Sequence, residues 1–389
     1  MRTLHRLPGL VLLAAAAGGA LIPVPAPASG FAIGDPGLVS MGSLEFGPDA
    51  VLFIGDSKGG AVVAVDTGDR TPGDREASFR IPDVETRIAA LLGAEAGDVM
   101  IHDMAVNPIS RNIYVSVSRG RSLWSDEWSL PNDLADADLL LRILPDDSIE
   151  EFVLDDVPFS RLALPNPVDP AKTHQWKEGL SLRVDAITAM VCEKGKLYVS
   201  GLSNEEFSAA LWMADFPFTG ETSWSTVEIF HGAHGAWETA APIRTFVPYT
   251  FAGADHILAA YLCTPLVTFP VADLADGGHV KGRTIAEFGS GNYPLDLVRV
   301  THGGKDVFVM ANSQLPMMTF TPAAVAEHMA NPGITRETPT YTEGVPYVAR
   351  AHAGTLHLDV FNDRFLAGLQ RMSNGKLDLV AVSVARMVF

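Results

Sequence analysis

Apolar runs of strand length, rich in Val, Ile, Leu and Phe, alternate with short polar turns along nearly the whole chain after residue 38. One phrase recurs: an apolar run, a tight turn, a second run, a polar break and a third run. It reads LVSMGSLEFGPDAVLFIGDSKGGAVVAVD at 38–66 and HDMAVNPISRNIYVSVSRG at 102–120. It returns as VDAITAMVCEKGKLYVSGLSNEEFSAALWMAD at 184–215 and IRTFVPYTFAGADHILAAYLCTPLVTFPVAD at 243–273. The last two copies are PLDLVRVTHGGKDVFVMANSQLPMMTF at 294–320 and PYVARAHAGTLHLDVFNDRFLAGLQ at 346–370. A fourth run completes most units: ASFRIPD, IEEFVLDD, TVEIFHG, TIAEFGS and LDLVAVSVA.

First-strand starts near Ser40, Asp103, Asp185, Arg244, Asp296 and Tyr347 lie 51 to 82 residues apart. Repeats of that length made of four strands predict an all-β chain, a single β-propeller over 29–389 with six four-stranded blades. Seven blades follow if the irregular stretch 121–180 holds another. Two insertions flank blade two. ETRIAALLG (85–93) places Ile88, Leu91 and Leu92 at helical spacing, and the proline-rich 156–180 reads as a long loop over one face.

Because strands alternate in direction, the loops that enter first strands share a face with those that leave second strands. That face collects His102-Asp103, Asp185, HGAHGAWETAAPIR (231–244), GNYPLD (291–296), DSK, SRGR, SNEEF, CTP, ANSQ and FND. The opposite turns, GPD, PISRN, EKGK, AGAD, HGGK and HAGT, are ordinary hairpin chemistry. Asp103, Asp185, Arg244 and Asp296 hold equivalent places in four blades, so they should converge on the channel mouth. Three carboxylates and one arginine there require compensation by a metal, ordered water or a ligand.

The first thirty residues carry Arg2 and Arg6, an apolar run from Leu10 to Ile22 and the small-x-small pattern Ala26-Pro27-Ala28. This predicts a secretory signal cut after Ala28 and a secreted or periplasmic protein. No later stretch has the uninterrupted apolar length of a membrane span. Removal of 1–28 moves the formal charge from −18 to −20, which disfavours nucleic acid and leaves cations as natural partners. The plainer reading of this acidity is solubility. Cys192 and Cys263 fall on opposite faces, so no disulfide is expected, and Cys263 becomes a free thiol beside the polar residues.

The candidate metal ligands are His102, Asp103, His231, His234, Cys263 and Asp296. Imidazole, thiolate and carboxylate together favour copper, zinc or iron, whereas Asp103, Asp185 and Asp296 alone would favour calcium. Loop histidines are commonly just surface residues, and His102 has the simpler role of bonding Asp103 open to it. Asp185, Asn204, Glu205, Glu238, Arg244, Asn292 and Asn312 are the candidate ligand-binding residues. Arg244 suits a carboxylate or phosphate, and suits equally well the neutralisation of Asp185 and Asp296. There is no phosphate-binding glycine loop, no haem-attachment motif and no nucleophile-elbow serine.

NPISRNIYVSVSRG and GGKDVFVMANS resemble the strand–turn–strand unit of YVTN and NHL-like propeller repeats, a likeness that covers most of the chain loosely and implies fold alone. GLSNEEFSAALW, IFHGAHGAWETAAPIRTFVPY and AAYLCTPLVTFPV resemble a group of exported bacterial propeller proteins without an assigned activity. Three functions stay open: a propeller with a metal site at the channel mouth supporting redox or hydrolytic chemistry, a non-catalytic binder of a small molecule, peptide, glycan or partner protein, and a metal-dependent lactonase or esterase. A monomer is expected.

Overall fold

Six mainly antiparallel sheets stand around a central channel in the computed structural model, which describes residues 30–74, 78–119, 138–175, 177–274, 277–338 and 342–388. The expected leader 1–28 and the stretch 120–137 lie outside the described residues. Numbered by their inner strands in chain order, blade one is built on Leu44–Phe46, blade two on Val99–Val106 and blade three on Ala189–Glu193. Blade four is built on Thr245–Phe251, blade five on Pro294–His302 and blade six on Thr355–Val360. Second and third strands such as Val51–Asp56 and Ala61–Asp66 are covered on both faces by neighbouring blades, which is why they read as unbroken apolar runs.

The core is six separate wedges, one per junction between blades. Phe53 and Val62 pack on Trp212 and Leu197 between blades one and three. Leu52 and Val63 meet Tyr114 and Leu140 between blades one and two. Phe246 and Ile257 meet Leu211 and Ile229 between blades three and four. Phe288 and Leu258 meet Phe308 and Met310 between four and five, and Val309 meets Leu366 and Val382 between five and six. Val115 and Leu141 close the ring on Leu369 and Leu379 of blade six, with the helix Val84–Leu92 packing its Ile88 into the same wedge. Each fully buried Leu or Phe contributes about 1.5–3 kcal/mol, so no junction depends on one residue.

These contacts give a ring order that the repeats do not announce. Inner strands neighbour one another in the sequence two, one, three, four, five, six and back to two. Blade two therefore sits between blades one and six. Strand exchange accompanies this order. Arg80–Ile81, within the run expected to finish blade one, pairs instead with Leu377–Ser383 as the outer strand of blade six. Blade one takes its fourth strand, Val157–Ala163, from the start of the expected long loop, and Ala32–Gly34 adds a fifth. The remainder of that loop lies over the upper ends of blades one and three. Its Leu164 and Val168 amides donate to Gly60 and Leu202, and Thr173–His174 pairs with Lys177–Ser181 as a small hairpin.

Blade six also starts later than its sequence phrase suggested. Val348–Ala349, next to the expected start at Tyr347, is the exposed outer strand of blade five, and the inner strand of blade six is Thr355–Val360. This moves HAGT to the upper face, where first strands begin, and FND to the opposite one. LDLVAVSVA is accordingly a third strand. Among the described residues no helix is long and apolar enough to cross a membrane.

On the way from blade one to blade six, residues 67–74 run along the lower edge of blade two. Asp69 fastens the crossing. Its carbonyl accepts from Asn107 Nδ2 at 2.8 Å, and its Oδ2 accepts from Ser110 Oγ, Asn112 Nδ2 and Tyr114 OH at 2.7, 2.8 and 3.1 Å. Gly73 then passes so close that a Cβ there would stand 1.9 Å from the Ser110 carbonyl. The PISRN turn, plain in sequence, is the cradle of the crossing strand. Asp69→Ala is expected to cost about 2–4 kcal/mol, since several buried donors lose a charged acceptor together. Chemical denaturation of both proteins reads this directly, and an unchanged midpoint would remove Asp69 from that role.

Candidate functional site

Three inner strands slip register by one residue at the same level: between Ile101 and Asp103, Pro294 and Asp296, and Thr355 and His357. Such bulges re-aim the next side chain, and Asp103, Asp296 and His357 all line a cavity of about 150 Å³ in the channel. Their ligand atoms lie within 4.8 Å of one another. Each carboxylate is already engaged. Asp103 accepts from its own neighbour Met104 N at 2.8 Å and from Leu44 N of blade one at 2.8 Å. Asp296 repeats this with Leu297 N and with Leu358 N of blade six, and Asp359 with Val360 N and with Val106 N of blade two. Glu45 extends the pattern to Cys192 N of blade three.

Burial and the neighbouring Asp103 charge push the Asp296 carboxyl up to about 7, burial lifts Asp359 to about 7, and burial drives Glu45 well above the usual carboxylate range. Burial alone would discharge His357. Its hydrogen bond to Asp103, at 3.4 Å, and the charges of Asp103 and Asp296 outweigh that and raise its pKa. Backbone N–H groups and His357 thus compensate the channel acids in part. His102 occupies the bulge itself, bonded to Ser118 Oγ at 2.8 Å, and burial with the nearby His357 and Lys58 charges lowers its pKa to about 4.

Asp185 stays at the channel rim and pairs with Arg244 Nη1 at 2.9 Å and with His174 Nε2 of the covering hairpin at 3.3 Å. Burial opposes its charge, but Arg244 and the hydrogen bond from His174 hold its pKa down to about 2. Arg244 is therefore the partner of Asp185.

The second cluster lies on the same face but outside the channel, where blades three and four meet. His231 ends the strand Ser223–His231 of blade three, and a tight turn through His234 returns the chain as Ala236–Glu238 on that strand's end. Cys263 sits in the turn between Ala254–Ala260 and Pro265–Pro270 of blade four. His231, His234 and Cys263 offer ligand atoms within 4.8 Å of one another. Glu238 Oε1 accepts Nδ1–H from both rings, at 2.9 Å from His231 and 2.6 Å from His234, and these bonds outweigh burial to hold its pKa below the usual value. Glu238 thus orients both rings through Nδ1.

His231 Nε2 is buried without a hydrogen-bond partner, as is Oε2 of Glu287, 3.9 Å away. Glu287 is held through its other oxygen by Gly232 N at 2.6 Å, and burial pushes its pKa up to about 7. Thr338 Oγ1, adjoining Gly232, is a third buried atom without a partner. The Cys263 sulfur accepts the Gly291 amide at 3.3 Å.

Two solved structures overlay most of the chain. A putative oxidoreductase (glucose dehydrogenase) from Thermus thermophilus is 12% identical, with 90% of this chain and 99% of that one covered at a TM-score of 0.31. The PQQ-bound aldose sugar dehydrogenase of Streptomyces coelicolor is 10% identical, with 92% and 99% covered, also at 0.31. No protein-family profile and no curated protein matches the chain. The likeness to YVTN and NHL repeats therefore reaches only to the propeller fold, and the chemistry is read from this chain's own residues.

The expected metal set thus falls into two places. His231, His234 and Cys263 come together with Glu238, while Asp103 and Asp296 join His357 in the channel and His102 bonds elsewhere. Asn292 Nδ2 donates to Asn312 Oδ1 at 2.9 Å, which braces the loop that carries Gly291. Asn204 and Glu205 are exposed and hold the covering segment through Asn166 and Lys172. Sequence reasoning passed over Glu45, Glu287, His357 and Asp359. Their one signal is a charge interrupting an apolar run, as in TIAEF and LHLDV. Both free cysteines are as expected.

Carboxyls whose folded pKa is raised favour the fold fully below their unfolded values and lose that advantage as pH climbs from about 4 towards 7. His357, also raised, adds stability below its unfolded value that fades as pH rises through its folded one. Thermal stability should therefore fall between pH 5 and pH 8. Glu45→Gln keeps the acceptor for Cys192 N without the charge, so it should melt a few degrees above the wild type at pH 8 and match it at pH 5. Parallel thermal melts of the two proteins check this, and superimposable profiles would rule out the channel carboxyls as its source.

Proposed function

We propose that this protein is an exported β-propeller that holds a transition-metal ion where blades three and four meet, with His231, His234 and Cys263 as ligands. The observation that carries the reading is the buried His231 Nε2. It has no hydrogen-bond partner, while Glu238 holds the ring through Nδ1 and ligand atoms of His231, His234 and Cys263 lie within 4.8 Å of one another. An unpaired buried polar atom costs about 1–3 kcal/mol, and a metal bond removes that cost for the imidazole. The carboxylate behind two ligand histidines is the usual outer support of such a centre.

Two imidazoles and a thiolate favour copper, zinc or iron over calcium. The channel cluster is the weaker candidate, because its carboxylate oxygens already accept backbone amides and its histidine is held by Asp103. Export rests on the leader at 1–28, and an acidic chain of formal charge −18 attracts cations. The channel-mouth location expected from sequence gives way to a site on the same face but between blades.

Purified mature protein should bind one equivalent of cobalt(II) with the intense near-ultraviolet absorption of a thiolate ligand. Cys263→Ser should lose that absorption, and Glu238→Gln should retain it at roughly 10–100-fold weaker affinity. Asp103→Asn should bind as the wild type does. Stoichiometry near zero in the wild type, or binding untouched by Cys263→Ser, would falsify the assignment.

A further inference from the structure

We infer that the ion at this centre is copper and that the centre is an electron-transfer site, an inference that rests on the metal reading above. Two imidazole nitrogens and one thiolate, with no fourth His, Cys, Asp or Glu in their group among the described residues, form the trigonal set associated with copper that shuttles one electron. Four features of the surroundings fit that use.

The thiolate is held in place by its backbone. Cys263 and Thr264 both have φ of 61°, a left-handed conformation costly for non-glycine residues. Three hydrogen bonds hold the turn: Thr264 N to Tyr261 O, Phe288 N to Thr264 O, and Thr264 Oγ1 to Gly289 O. A ligand fixed without help from the metal moves little between oxidation states. The Gly291 amide donates to Sγ at 3.3 Å and adds a further restraint on the sulfur.

Glu238 fixes both imidazoles at once, so all three donors are set before the metal arrives. Access is unequal. The His231 side chain is 2% exposed and that of His234 is 50% exposed, which gives the electron one imidazole edge at the surface.

Glu287 Oε2 tunes the couple. It is buried, unpartnered and 3.9 Å from His231 Nε2, outside the group of three donors. This oxygen, facing the ligand ring, favours the more highly charged copper(II) over copper(I). In turnover, copper(II) accepts one electron from a one-electron reductant such as an ene-diol or ferrous haem and becomes copper(I). It returns that electron to an oxidant such as a ferric complex, and no bond is made or broken.

The test uses the full mature protein loaded with copper(II). Strong visible thiolate-to-copper absorption is expected, absent in Cys263→Ser and weakened in His234→Ala. Ascorbate should bleach it and ferricyanide restore it through repeated cycles. Glu287→Gln should keep the copper and shift the equilibrium about tenfold towards copper(I), which is about 59 mV for one electron. Copper retained without the thiolate band, or Cys263 oxidised in the first cycle, overturns the electron-transfer inference and leaves the metal site standing. Retention of zinc but not copper does the same. A wild type that retains no metal overturns the metal reading itself.

Discussion

Inner strands of a propeller lie side by side around the channel without forming a continuous sheet, so each presents backbone amides to a neighbour that offers no ladder. Here acidic side chains supply the missing acceptors. Asp296 reaches from blade five to six, Asp359 from six to two, Asp103 from two to one and Glu45 from one to three. Four consecutive junctions are stitched in one rotational sense. The wedge cores bind the blades further out, but the level at which inner strands meet is set by these bonds. The bulges before Asp103, Asp296 and His357 exist to aim them.

This explains how the channel acids hold the blades. Converging carboxylates look like a cation site in sequence, because there the amides that satisfy them are invisible. Both oxygens of Asp103, Asp296 and Asp359 accept N–H groups, which occupy about half of each carboxylate's acceptor sites. The centre between blades three and four is the reverse case. Its carboxylate Glu238 is occupied in orienting histidines, and atoms facing inwards, on His231 and Glu287, are left without partners.

Much of the architecture was legible because each blade writes the same apolar rhythm, and the helix Val84–Leu92 announced itself by spacing. The residues of the metal cluster were legible as oddities in loops of one face. The order of blades was not, since identical periods carry no information about neighbours. Arg80–Ile81 looks like any outer strand, and its partner three hundred residues away leaves no local trace. The late start of blade six was hidden by Val348–Ala349, an exposed strand with an apolar look. Misplacing that start also concealed His357 and Asp359. Glu287 was missed because a single charge in TIAEF says nothing about which side chain will lie beside it.

The exchange of strands between blades one and six fixes an order of assembly. Blade one lacks its fourth strand until blade two has been made and the chain has returned through Val157–Ala163. Arg80–Ile81, made early, waits for Leu377–Ser383, made almost last. A chain synthesised amino end first must hold that edge unpaired until those late residues arrive. The ring then shuts in one late, long-range step of the kind that slows folding. A product truncated before Leu377 would leave Arg80–Ile81 without the strand that latches it.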